Sequence, residues 1–242
     1  MRFPSPLIEG TLLKRYKRFL ADVRLNTGEE ITVHCPNPGA MMGVAPSGAR
    51  CWVSLSPNKA RKLPHTLELV EISDFGRPVI TGINTGHPNK IAEEAIMRGV
   101  IPELAGYDSL RREVKYGENS RIDLLLESER RKPCYVEVKN VHLRRSDTPL
   151  AEFPDSVTAR GLKHLKELEQ VVRDGNRAVM LYIVQRSDCF TLSPAWDIDP
   201  KYATGLVAAE KAGVELIAWD CEVTTSEIVL RRAMEIDLDN RP

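Results

Sequence analysis

Apolar and polar positions alternate in short bursts through the first third of the chain. Residues 7–12, 19–25, 30–34, 50–55, 66–72 and 78–82 each read as a strand, because a period of two sends successive side chains to opposite faces of a sheet. Asn26-Thr27-Gly28 joins the second run to the third as a hairpin, and Ser-Pro-Asn and Asp-Phe-Gly-Arg-Pro separate the later runs. From Pro88 onward the period lengthens. Ile91, Ala92, Ala95 and Ile96 recur at helical spacing; a second helix is expected to open at residues 153–157, capped by Asp155 or Ser156, and to run to about Arg173; a third covers residues 200–213. Among these helices lie strand-like runs at 111–116, 120–127, 134–141, 177–185, 214–219 and 228–236, and the run at 177–185 is apolar on both faces, as a buried parallel strand is. Two domains follow. Residues 1–84, with about five short strands, predict a small Greek-key barrel of the oligonucleotide-binding (OB) kind. Residues 85–242 predict a mixed α/β sheet covered by helices, with the boundary at Thr85-Gly86-His87-Pro88.

The chemistry concentrates in residues 120–141. Arg130-Arg131-Lys132-Pro133 connects two strands there, and alternation puts Glu137 and Lys139 on one face with Val136 and Val138 on the other. If the strands pair, Asp123 stands beside that Glu and Lys. Two carboxylates and an ammonium suit Mg²⁺ (or Mn²⁺) and a phosphate ester, because a hard cation takes oxygen ligands and needs few of them from protein. The same residues also fit an ordinary hairpin with a solvated polar face. On the second helix Arg160, Lys163, His164 and Glu167 share a face that is either solvated or turned toward those carboxylates. Two further features stand in the first domain. Lys14-Arg15-Tyr16-Lys17-Arg18-Phe19 interleaves cations with rings, which fits phosphate and base contacts along a nucleic-acid strand and equally fits a charge-protected edge strand. Lys59-Ala60-Arg61-Lys62 adds a second cationic loop.

Composition narrows the classes. The 242 residues carry 34 basic and 34 acidic side chains, so net charge identifies no partner, but residues 1–84 hold 11 Lys and Arg against 7 Asp and Glu. The basic excess lies in the barrel. Five widely spaced cysteines without a Cys-x-x-Cys pair predict buried, reduced thiols. No stretch reads as a secretory signal or a membrane span, so a cytoplasmic location and no membrane partner are expected. The absence of a Gly-rich phosphate loop, His-Glu-x-x-His and Gly-x-Ser-x-Gly removes NTPase, zinc-protease and serine-hydrolase readings.

Arg15-Tyr16-Lys17-Arg18-Phe19, Cys35-Pro36-Asn37-Pro38-Gly39-Ala40-Met41, Leu104-Ala105-Gly106-Tyr107, Ser120-Arg121-Ile122-Asp123, Glu137-Val138-Lys139, residues 153–165 and Val184-Gln185-Arg186-Ser187-Asp188 together resemble the sugar fermentation stimulation protein A family of bacteria and archaea. The resemblance spans almost the whole chain. It implies an OB-like N-terminal barrel, a C-terminal domain of the PD-(D/E)XK nuclease type, DNA binding without sequence preference and a link to regulation of maltose metabolism. By the same resemblance Asp123 matches the metal-binding aspartate, Glu137 the paired acid, Lys139 the motif lysine, and Glu94, five residues after Asn89, the glutamate of the preceding helix. Helical spacing alone does not choose between Glu93 and Glu94. This chain departs from the family pattern at Pro38, where Thr is common, and at Ala159 and Leu162, where Glu and Gln are common. Two readings are carried forward. One is a Mg²⁺-dependent phosphodiesterase in which Asp123, Glu137 and Glu94 hold the metal and Lys139 meets developing charge. The other is a non-catalytic DNA-binding factor of maltose and sugar-fermentation genes. Lys14, Arg15, Tyr16, Lys17 and Arg18, with Arg160 and Lys163, are the expected DNA contacts, RNA is the second nucleic acid considered, and a homodimer is the assembly considered.

Overall fold

The computed structural model describes residues 1–74, 76–117 and 120–240. Phe75 in the Asp-Phe-Gly-Arg-Pro separator, and Glu118 and Asn119 in the expected turn after Gly117, lie outside the described residues.

Five strands close the barrel: β1 (Ile8–Tyr16), β2 (Leu20–Leu25), β3 (Glu30–His34), β4 (Arg50–Leu55) and β5 (His65–Ile72). They lie in the order β3-β2-β1-β4-β5, and a parallel pairing of His34 with Thr66 joins the ends. Closure removes the free edges, and the inward-facing alternate residues, among them Leu12, Val23, Val33, Val53 and Leu67, fill the interior without solvent exposure. β1 runs further than expected, through Lys14, Arg15 and Tyr16, so this basic run is strand and only Lys17 to Phe19 forms the turn. Lys17 and Arg18 take positive φ there, 49° and 63°, a left-handed turn that Gly or Asn adopts more easily. β6 (Val79–Gly82) adds antiparallel to β5 and carries the chain out of the barrel.

The second sheet has eight strands: β7 (Ser109–Tyr116), β8 (Ser120–Ser128), β9 (Arg131–Val141), β10 (Leu150–Phe153), β11 (Arg177–Val184), β12 (Thr191–Pro194), β13 (Glu215–Val223) and β14 (Ile228–Ile236). Their order is β10-β12-β14-β13-β11-β9-β8-β7, with β9, β11 and β13 mutually parallel at the centre and β7, β8 and β9 antiparallel in sequence. Helix α1 (Pro88–Met97) covers one face, and α2 (Ala159–Arg173) and α3 (Pro200–Lys211) cover the other. β11 is buried on both sides, which is why its sequence shows no alternation.

Two expectations about the elements are corrected. Helix α2 starts at Ala159, capped by Thr158, whose side chain accepts from the Gly161 N–H; Asp155 instead accepts from the backbone N–H of Met41, 2.9 Å away in the barrel loop. Of residues 153–157, expected to open the helix, Phe153 ends β10, which pairs in parallel with the equally short β12, and residues 154–157 are neither helix nor strand. Residues 1–3, grouped with the barrel from sequence, run beside the start of β14: Phe3 N–H donates to Ser226 O, and Ile228 N–H donates to Met1 O.

The domains share apolar packing. Trp52 and Leu69 of the barrel lie in one buried cluster with Val136, Ile183, Val223 and Ile228 of the sheet, and truncating such a side chain, as in Leu69→Ala, costs about 2–5 kcal/mol. Glu68 of β5 anchors the polar part of the joint, accepting from Ser54 and Asn84 at 2.6 Å each and contacting His87, the N-cap of α1, at 2.7 Å. Gly82 N–H donates to Gln185 O, and a Cβ at Gly82 would collide with the Gln185 side chain, so the close approach requires glycine. All five cysteines are buried and unpaired, and burial pushes the thiols of Cys51, Cys134 and Cys189 up to about 12.

Candidate functional site

The site is built where β8 and β9 part. Their ladder is in register from Leu126↔Cys134 to Leu124↔Val136 and has no further pair toward Asp123. There the Asp123 side chain replaces the missing backbone partner, its Oδ2 accepting the Val138 N–H at 2.8 Å while Oδ1 accepts from Asn89 Nδ2 of α1 at 2.8 Å. Beyond that point β9 continues beside β11, pairing Glu137 with Met180 and Lys139 with Tyr182. Val136 and Val138 face the apolar cluster under α1, while Glu137 and Lys139 face α2.

Helix α2 completes the site. His164 Nδ1 bonds Glu137 Oε1, and Arg160 Nε donates to His164 Nε2 at 3.3 Å, which fixes the tautomer with its proton on Nδ1. Lys139 Nζ lies 2.6 Å from Glu137 Oε1 and 3.3 Å from His164 Nδ1. One helical turn after His164, Glu167 accepts from Ser120 Oγ at 2.8 Å and pairs with Lys163 at 3.5 Å. Three buried oxygens of this neighbourhood have no protein partner: Glu137 Oε2, Glu167 Oε2 and the Tyr116 hydroxyl.

Charge and burial divide the two central acids. Burial, and then the negative charge of Glu137, raises the Asp123 carboxyl above its ordinary value despite the Val138 and Asn89 hydrogen bonds. Burial acts upward on Glu137 too, but the hydrogen bond from His164 and the charge of Lys139 outweigh it and leave that carboxyl low. The Tyr116 hydroxyl is raised by burial and by Glu137, Glu167 and Asp123, which places it among the three acids.

Asp123, Glu137 and Lys139 therefore meet at one place, and Glu94 does not join them. Its carboxylate lies 3.0 Å from the Met1 amino group and 3.6 Å from Arg98, because five residues along a helix turn the side chain far from the direction of Asn89. Glu93 pairs with Arg112 instead. Among the described residues no group of three or more His, Cys, Asp or Glu side chains is arranged to hold a metal. Asn89, His164 and Glu167 are the polar neighbours that motif matching did not assign. The shared helical face of Arg160, Lys163, His164 and Glu167 was the available signal for the last two.

The pair Asp123 and Glu137 nonetheless fits a hard divalent cation. Mg²⁺ keeps most of its water and needs one or two carboxylates, and Glu137 Oε2 is buried with no protein partner.

The cations expected on the barrel sort into two groups. Arg15 is committed to structure: its Nη2 donates to the carbonyls of Arg18, Asn37 and Gly39 at 2.8–2.9 Å and so fastens the Pro36 to Met41 loop. Tyr16 is held likewise, its hydroxyl on Asp22 and its ring 5.2 Å from the Lys14 ammonium, which itself pairs with Asp22. Lys17 and Arg18 are exposed at the turn, with Arg18 Nη2 donating to the Pro38 carbonyl at 3.1 Å. Beside them Phe19, 45% exposed, stacks on His34 with centroids 6.5 Å apart and planes 16° from parallel, and Arg61 of the β4–β5 loop contacts His34 Nδ1 at 3.1 Å. The turn after β1 and the cationic loop after β4 thus meet at one end of the barrel. Arg160 and Lys163 are exposed on α2 of the other domain.

A closed five-stranded barrel joined to a mixed sheet with splayed acidic strands defines a two-domain protein, an OB-type barrel on a mixed α/β sheet. Residues 13–80 match the family model described as SfsA N-terminal OB domain, and residues 86–227 match the model described as sugar fermentation stimulation protein RE domain. The chain belongs to the sugar fermentation stimulation protein (SfsA) family. It is 56% identical over 238 residues to a sugar fermentation stimulation protein homolog of Maricaulis maris, covering 98% of this chain and 99% of that one. It is 54% identical over 241 residues to the homolog of Paramagnetospirillum magneticum, covering 100% of both. The solved structure of Pyrococcus furiosus SfsA in complex with Ca²⁺ superposes with a TM-score of 0.85 at 30% identity, over 98% of each chain. No described helix is long and apolar enough to cross a membrane.

Proposed function

We propose that this chain is a Mg²⁺- or Mn²⁺-dependent phosphodiesterase that binds DNA without sequence preference and hydrolyses nucleic-acid strands at Asp123, Glu137 and Lys139. The observation that carries the reading is the splay of β8 from β9, which brings the half-buried Asp123 carboxylate, the buried Glu137 carboxylate and the Lys139 ammonium together while Glu137 Oε2 lacks a partner. Asp123 and Glu137 would hold the cation, which supplies Lewis-acid polarisation of the phosphate and lowers the cost of forming hydroxide from water. Lys139 stands where negative charge grows on the phosphate oxygens. His164 and Arg160 keep Glu137 and Lys139 in register, and Asn89 keeps Asp123 turned toward β9. The archaeal relative's complex with Ca²⁺, another cation that takes oxygen donors, is consistent with this site chemistry.

The strand-binding surface in this reading is the barrel end where Lys17, Arg18 and Arg61 adjoin the Phe19–His34 stack, with Lys59 and Lys62 exposed in the same loop as Arg61, cations for phosphates and an open ring for bases. RNA competes on the same chemistry. Lys17→Ala/Arg18→Ala/Lys62→Ala should lower DNA affinity for every sequence alike and flatten its salt dependence.

The test is cleavage of labelled single- and double-stranded DNA and RNA with Mg²⁺ or Mn²⁺ against EDTA, in wild type, Asp123→Asn and Lys139→Met. The expected result is metal-dependent cleavage, weaker Mn²⁺ binding in Asp123→Asn, and a fall of roughly 10²-fold or more in Lys139→Met with folding and DNA binding kept. Absence of cleavage of every substrate would leave the non-catalytic DNA-binding factor as the function. Equal cleavage by Lys139→Met would place the site elsewhere.

A further inference from the structure

Next to the acidic site, between the sheet and α2, opens a cavity of about 440 Å³ that the proposed reaction does not use. Its floor is aromatic. Tyr135 of β9 and Tyr116 of β7 lie with ring centroids 5.9 Å apart and planes at 41°, both half-buried. Its rim carries Lys115 from β7 and Lys163, Lys166 and Arg173 from α2, four cations against the acidic Glu167 and Asp174. Lys163 is paired with Glu167 and Arg173 with Glu169, whereas Lys115 and Lys166 make no ion pair among the described residues.

Two periodicities tie this cavity to the acids. Tyr135, Glu137 and Lys139 occupy alternate positions of one strand and face the same helix, so the tyrosine stands about 7 Å along β9 from Glu137. On α2, His164 contacts Glu137 while Glu167, one turn further, lines the cavity. The Tyr116 hydroxyl and Glu167 Oε2 are both buried and without protein partners, and both residues line this cavity.

We propose that this cavity is a nucleotide subsite, seating the base of the nucleotide next to the scissile phosphate against Tyr116 and Tyr135 and that nucleotide's own phosphate on Lys166 and Lys115. The volume lies within the roughly 300–1,000 Å³ typical of small-molecule sites. Aromatic faces stack any base, and unpaired ammonium groups on the rim attract a phosphate. The ligand class rests on the phosphodiesterase reading, but binding at the cavity requires no turnover.

The experiment is equilibrium dialysis of adenosine 5′-monophosphate, adenosine and inorganic phosphate against the full chain in EDTA, with Lys166→Glu and Tyr135→Leu as variants. Lys166 is exposed, so Lys166→Glu leaves the fold intact even if Tyr135→Leu disturbs it. The expected result is that the nucleotide binds tighter than either half, and that Lys166→Glu weakens it at least tenfold. Phosphate binding as tightly as the nucleotide would reduce the cavity to an anion patch, and adenosine binding as tightly would remove the role of the lysines; either overturns the subsite. Undiminished nucleotide binding in Lys166→Glu would also overturn it. Because EDTA removes catalysis, a chain that binds the nucleotide but cleaves nothing sinks the phosphodiesterase reading alone, and a chain that cleaves but does not bind it sinks this inference alone.

Discussion

Helices α1 and α2 cover opposite faces of the same strands, yet they serve the acidic site in unlike ways. α1 packs Ile91, Ala92, Ala95 and Ile96 on the sheet and sends one polar side chain, Asn89, to Asp123. α2 buries Leu165, Leu168 and Val171 but also lowers His164 onto Glu137 and Glu167 onto Ser120. One helix is a lid with a single hydrogen bond; the other is a wall of the site. The difference teaches that motif distance along the chain is a poor guide to which helical residue reaches a site, since 100° of rotation per residue separates Asn89 from Glu94 by more than a third of a turn.

The contrast can be attacked from its strongest side downward. His164→Ala removes the side chain that orients Glu137, and we expect metal-dependent cleavage per folded molecule to fall about 10- to 100-fold and unfolding free energy to drop by about 1–3 kcal/mol, because a buried carboxylate loses a partner, read by cleavage rate and a denaturant curve. A wild-type rate in that variant would make α2 no more than a cover. Asn89→Ala should come next, costing about 1–3 kcal/mol in denaturant unfolding by leaving a half-buried carboxylate oxygen unbonded, with a smaller loss of Mn²⁺ affinity.

The base of α1 gives a pH test. Burial raises the Glu68 carboxyl, but the bonds from His87, Ser54 and Asn84 outweigh it and hold it below its ordinary value of 4.5. A depressed folded value means that this stabilisation is complete above about pH 4.5 and is lost as pH falls through the lower, folded value. Wild type should therefore lose stability between pH 5 and pH 3 more steeply than Glu68→Gln, and parallel curves would show that Glu68 does not hold the joint. Glu94→Gln should have the smallest effect. Its pairs with Met1 and Arg98 are partly exposed, so unfolding free energy should change by less than ~1 kcal/mol and cleavage should stay within about twofold. A large loss of cleavage in Glu94→Gln would return that residue to the site and erase the contrast.

How much of this was legible depended on whether a feature is local. Alternation alone separated Glu137 and Lys139 from Val136 and Val138, because a strand's period fixes faces without further information. The barrel's strands were legible for the same reason. The start of α2 was misread because Asp155 and Ser156 have the composition of a cap, whereas Asp155 bonds Met41, 114 residues away. Four-residue strands such as β10 and β12 are too short to show a period. Arg15 and Lys17 look equivalent in a basic run; only the path of the Pro36 to Met41 loop makes one a brace and leaves the other free. Likewise Arg61 reaches His34, which the β2–β3 hairpin already sets beside Phe19, only because β3 closes on β5.

The strap formed by residues 1–3 has a consequence for how the chain acquires its shape. Phe3 bonds Ser226, and Met1 bonds Ile228, so residues 1–3 stay without these partners until residues 226–228 are made. During synthesis the barrel strands can pair as soon as residue 72 has left the ribosome, since their partners are all at hand, but the strap closes only after β14 emerges. Contacts so distant in sequence slow folding through the entropy of closing the loop. The cluster holding Met1, Trp52 and Ile228 is thus assembled last, and until then Trp52 and Leu69 present an apolar flank on an otherwise finished barrel.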